Sequence, residues 1–148
     1  MLKKTVIWSV AALVAIQFIE VDKSNPKVES EIALQAPQKV MSILKKSCYD
    51  CHSNETKWPH YSNIAPISFV VASHVKDARA ALNFSEYEKI DKERKVARLK
   101  RAIVTVKNER MALPSYVMAH QEAKLSQDEK VVLVKWFEKE LESLESKR

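Results

Sequence analysis

Cys48-Tyr49-Asp50-Cys51-His52 puts two thiols and an imidazole within five residues. Residues three and four apart share a face of a helical turn, so all three groups can point the same way. Three chemistries use such a set. A structural zinc site needs a second cysteine pair or closely paired histidines, but the chain has 2 cysteines, both in this motif. A redox dithiol belongs in a strand–helix setting of the thioredoxin kind, and no such pattern surrounds it. The remaining chemistry is covalent capture of a haem by a C-x-x-C-H run. Cys48 and Cys51 reach its two vinyl groups, and His52, four beyond Cys48, reaches the iron. Thioether bonds keep a small domain from losing the group, and the macrocycle adds apolar surface that a short chain lacks.

A six-coordinate iron needs a second ligand, usually Met or His. Met111 is the leading candidate, because it stands just before Ala112-Leu113-Pro114 in a loop ahead of the last helix. Its thioether would favour ferrous iron and raise the potential. His74, Met118 and His120 are the alternatives. Trp58 and Tyr61 are candidates for packing on the haem edge or donating to its propionates, and His60 for meeting a propionate or solvent. This ligand set describes an electron carrier rather than an enzyme. The alternative is a haem-based sensor or peroxidase-like protein with an open iron position. Arg79, five residues after His74, is the nearest approach to the distal pair that it would need.

The elements that must position these groups are helical. The chain has no glycine, so turns of positive φ fall to other residues or are avoided, which disfavours a hairpin-rich sheet. Apolar spacing predicts helices over Pro37–Ser47 and Ile67–Leu82, the latter with Phe69, Val70 and His74 inward. A third, Ser85–Glu109, breaks near Asp91 and buries Val96, Leu99, Ala102, Ile103 and Val106. Residues 111–123 read as loop. A last helix follows Ser126, carrying Val132, Leu133, Trp136, Phe137, Leu141 and Leu144. Ser85 with Glu88, and Ser126 with Glu129, have capping-box spacing. The fold class is all-α.

Lys3-Lys4 precede an apolar run, Thr5 to Ile19, broken by Ser9 and Gln17. At roughly 15 to 17 residues it lies near the lower limit of about 17 for a spanning helix. No small-residue cleavage pattern ends it, so residues 1–21 read as an uncleaved signal anchor in the membrane, the alternative being a cleaved signal that releases the rest to the periplasm. Retained lysines place the remainder outside the cytoplasm, in a bacterial periplasm. Residues 22–36 read as a linker and 37–148 as the haem-binding domain. The formal net charge is +6, but bases and acids intermingle and no aromatic-and-basic recognition motif appears, which excludes nucleic acid as a partner. Redox partner proteins are expected instead, with a basic excess suited to acidic surfaces or anionic lipid.

The run Cys48 to Pro59, then Tyr61, Ile64-Ala65-Pro66, Ser73-His74-Val75 and Leu82-Asn83-Phe84-Ser85, resembles the bacterial haem-binding domain family of single C-x-x-C-H proteins. The likeness continues through Met111, Pro114-Ser115-Tyr116, His120 and Leu125-Ser126. It implies a c-type haem on a tethered periplasmic domain. The family pattern has Met-Pro where this chain has Met111-Ala112, and Gly-Arg where it has Ala78-Arg79. The ending from Met111 through Ser126 to Trp136 is also similar to class I cytochromes c. There a ligand methionine precedes a C-terminal helix that crosses the helix leading into the haem motif. The resemblance thus implies that the first and last domain helices cross here.

Overall fold

The computed structural model describes residues 2–146; Met1, at the head of the expected anchor, and Lys147 and Arg148, at the end of the expected domain, lie outside them. The described residues form helices and 3₁₀ turns with no strand, the all-α class that the spacing predicts.

Three helices build the core. Helix α2, Gln38–Ser47, buries Val40, Ile43 and Leu44, and Pro37 caps its start. Helix α5, Lys92–Lys107, buries Leu99, Ile103 and Val106. Helix α7, Gln127–Ser146, buries Leu133, Val134, Trp136 and Phe137. Helix α7 packs against both α5 and α2, so the expected contact between the first and last domain helices is present. Leu44 and Leu133 are both 0% exposed, and burying such a side chain fully contributes about 1.5–3 kcal/mol. A Lys46–Glu129 ion pair at 2.6 Å ties α2 to the start of α7. The second expected capping box is formed: Ser126 N–H donates to Glu129 Oε2 at 2.8 Å, and Glu129 N–H donates to Ser126 Oγ at 3.2 Å.

Between α2 and α5 lie α3, Tyr49–His52, and α4, Ile67–Ala81. Helix α4 packs on α3 and on a 3₁₀ turn at His60–Asn63. Its inward face is therefore rotated from expectation: Ser68 and Val75 are buried, Phe69 is half-buried, and Val70 and His74 are exposed. The expected third helix divides into a 3₁₀ stretch, Phe84–Lys89, and α5, with the break at Asp91, whose carboxylate caps α5 by accepting from Arg94 N–H at 2.9 Å. Asn83, not Ser85, caps the 3₁₀ stretch, accepting from Ser85 N–H at 3.0 Å. The Ser85 hydroxyl instead accepts from Asn54 N–H at 2.9 Å. The expected loop after Met111 contains a short helix, α6, Pro114–Ala119, with proline in its first turn where its missing N–H costs nothing.

The N-terminal segment departs further. Helix α1, Leu2–Ala15, has 14 residues and continues as a 3₁₀ turn at Ile16–Phe18. At 1.5 Å per residue such a helix reaches about 21 Å, short of a hydrocarbon core of ~30 Å. No helix among the described residues is long and apolar enough to cross a membrane, so the expected spanning anchor is not borne out. Residues 22–36 are not a free linker. Asn25 Nδ2 donates to Thr56 O at 2.9 Å, Leu34 N–H to Phe84 O at 2.8 Å, and Leu34 is buried in the core.

Candidate functional site

The motif sits where α2 breaks into α3. Cys48 still donates its N–H to Leu44 O at 2.8 Å, while its φ of −129° turns the chain. Cys51 and His52 then donate back to Cys48 O at 3.1 and 2.9 Å, closing the single turn that the spacing required. The turn is held from outside by Leu82–Ser85. Phe84 stacks on Tyr49 with ring centroids 5.5 Å apart and lies 6.0 Å from the His52 ring.

Leu82 supplies the contact that matters most for His52. The imidazole Nδ1 lies 2.9 Å from Leu82 O. A carbonyl can only accept, so Nδ1 carries the proton and Nε2 is left with its lone pair. This is the second-shell arrangement that fixes the tautomer of a metal-ligating histidine. Burial pushes the imidazole below its ordinary value of 6.5, against the pull of the Leu82 and Ala78 carbonyls, which favours the neutral, ligating form. Burial also pushes the thiols up, Cys48 to about 12 and Cys51 to about 11. Thiols held in the neutral form are poorly suited to dithiol exchange, which proceeds through the thiolate.

Both thiols and His52 line a cavity of about 340 Å³, within the range of about 300–1,000 Å³ usual for ligand sites. Its walls are largely apolar: Ala78, Ala81, Leu82 and Phe84 on one side, Ala102 and Val106 of α5, and Leu133 and Phe137 of α7. Met111, Ala112 and Leu113 complete it, so Met111 and the motif face the same space. Ser47 lines it too, and its buried hydroxyl has no hydrogen-bond partner. The donor set fits a haem: two sulfurs, an imidazole with a free Nε2, a thioether, and walls suited to a flat apolar ring.

The other candidates separate clearly. His74 reaches the cavity from its exposed edge. Met118 is 80% exposed on α6 and does not line it. His120 lies outside it as well; its Nε2 meets Tyr61 OH at 2.9 Å and its ring stacks on Tyr116 at 4.4 Å. That contact occupies Tyr61. Trp58 also stands apart from the cavity, its buried Nε1 without a partner, and His60 is exposed. Tyr116 does line the cavity and donates its hydroxyl to Asp50 Oδ2 at 2.6 Å, tying α6 to the motif's own turn. Arg98 and Arg101 also line it. Neither they nor Tyr116 carried a role in the sequence reading, although the two arginines flank the apolar stripe of α5.

Arg79 points elsewhere. Its guanidinium donates to Ser53 O at 2.8 Å, Ser24 O at 3.0 Å, Asn25 Oδ1 at 2.7 Å and Thr56 Oγ1 at 2.9 Å. It straps residues 24–25 to the segment after the motif.

No curated protein and no solved structure matches the chain. The family model described as a haem-binding domain matches residues 11–139, most of the chain and the whole cavity. The chain belongs to the haem-binding domain family.

Proposed function

We propose that this is a c-type cytochrome with one covalent haem, passing single electrons in the bacterial periplasm. Cys48 and Cys51 would hold the group as thioethers, His52 Nε2 would ligate the iron, and Met111 Sδ would supply the second ligand. When bound, the haem supplies a one-electron iron couple. The observation that carries this reading is the meeting of both thiols, the imidazole and Met111 on a single apolar cavity. Leu82 O keeps the imidazole in the ligating tautomer, and the apolar walls keep water from the iron. A thioether ligand sets the potential high.

The test is the visible spectrum of the full chain matured with the cytochrome c assembly apparatus. A low-spin haem is expected in both oxidation states, with the weak far-red charge-transfer band of a sulfur–iron bond. Met111→Ala should lose that band; a variant that keeps it excludes Met111. The alternative, a sensor or peroxidase-like protein with an open iron position, expects high-spin ferrous haem and rapid carbon monoxide binding. Arg79, on which it would draw, is taken up by the strap to residues 24–25.

A membrane-proximal placement is supported by α1, which carries two lysines ahead of its apolar residues and buries none of its residues against the domain. The basic balance of the chain suits acidic redox partners.

A further inference from the structure

Two cations stand on the cavity wall without a carboxylate. On α5, Arg94 pairs with Asp91, Lys95 with Glu88, Lys100 with Glu145 and Lys107 with Glu138. Arg98 and Arg101 form no such pair among the described residues, and they are the two α5 cations that line the cavity. Three residues apart on a helix, they are neighbours on one face, about 5–6 Å between Cβ atoms. Arg98 is steadied by donating from Nη2 to Ala80 O at 3.2 Å, while Arg101 is exposed. Helix α4 contributes one carboxylate, Asp77, and one imidazole, His74, to the same lining. The two guanidinium groups therefore outweigh its single carboxylate and leave a largely apolar space with excess positive charge.

We infer that Arg98 and Arg101 bind the two propionates of the haem whose opposite, vinyl-bearing edge is anchored by Cys48 and Cys51. The inference rests on the haem reading above and fixes the orientation of the macrocycle within it. Guanidinium forks match carboxylates in geometry and charge. They also place positive charge near the iron, which disfavours the ferric state and raises the potential. Trp58 and Tyr61, the candidates from spacing alone, are displaced from this role because neither lines the cavity.

The test uses the full-length matured protein, with Arg98→Gln, Arg101→Gln, the double variant, and Lys100→Gln as a charge control one residue away. Arg101→Lys retains the charge without the fork. Two readouts are taken: midpoint potential at fixed pH, and the propionate bending band in the resonance Raman spectrum. The double variant is expected to lower the potential well beyond the shift of the control and to move the propionate band, with an unchanged far-red band. Arg101→Lys should keep most of the potential while altering the propionate band. An unmoved propionate band, with a potential shift no larger than the control's, overturns the assignment while leaving the haem reading intact. If the unsubstituted protein carries no covalent haem, the haem reading fails and this assignment falls with it.

Discussion

At the scale of residues, the decisive relation is that between His52 and Leu82. Haem ligation by Nε2 requires a neutral ring with its proton on Nδ1; burial favours the neutral ring, and one backbone carbonyl at 2.9 Å keeps the proton on Nδ1. The thiols are likewise set by their surroundings, which hold them protonated. This gives a pH prediction for protein made without haem. Folded-state values of about 12 and 11 lie above the ordinary 9.0. The thiols' contribution to stability is therefore complete below pH 9.0 and is lost as pH rises toward 12. Alkylation of folded apoprotein by iodoacetamide should be slow near neutral pH, accelerate through that window, and become fast at once in denaturant. Alkylation at the rate of a free thiol near neutral pH contradicts this. The motif was legible because its chemistry is a matter of spacing. That Met111 lines the cavity follows from its place before the last helix. That Met118, His120, Trp58 and Tyr61 lie outside it did not, because sequence distance does not say which way a loop side chain turns. In this fold Tyr61 and His120 turn toward each other.

At the scale of elements, periodicity identified the helices that carry the core, and the capping box at Ser126 located the start of α7. The short pieces escaped it: α6 has 6 residues and Phe84–Lys89 is a 3₁₀ stretch, too brief to show a period. Their positions come from contacts distant in sequence, such as Tyr116 on Asp50 and Ser85 on Asn54. The glycine-free composition has a visible consequence at the end of α5. Glu109 adopts φ 57°, the one positive φ among the described residues. Arg110 N–H donates to Thr105 O at 2.9 Å, and Glu109 N–H to Val106 O at 3.2 Å, which is the Schellman pattern that usually ends on glycine. This cap aims the chain at Met111. Glu109→Gly and Glu109→Ala both lose the ion pair with Lys130, but only glycine relieves the left-handed backbone. The glycine variant should be more stable than the alanine variant by about 1 kcal/mol, read from thermal or denaturant midpoints. Equal stabilities contradict the role given to this cap.

At the scale of the whole molecule, the N-terminal segment is fastened to the haem-binding domain at several points. Gln17 both donates to Ala65 O and accepts from Ala65 N–H, each at 3.0 Å. Lys23 bonds to Ser62 O and to Asn63 Oδ1, and Arg79 grips Ser24 and Asn25. The Asn25-Pro26 turn, with charged and small residues around it, marked residues 22–36 as a linker, but these contacts pair positions 31 to 55 apart, beyond the reach of local pattern. Beyond the clamp, α1 presents Val6, Ile7, Trp8, Val10, Leu13 and Val14 to its surroundings, and under the proposed placement lipid covers them. The full chain should then stay with membranes through a high-salt wash; release by that wash contradicts the placement.

The intact mass of the matured, denatured protein tests the central claim most directly. The account predicts the polypeptide plus one haem, with neither cysteine available to an alkylating reagent. A bare polypeptide mass with both thiols alkylated would contradict it.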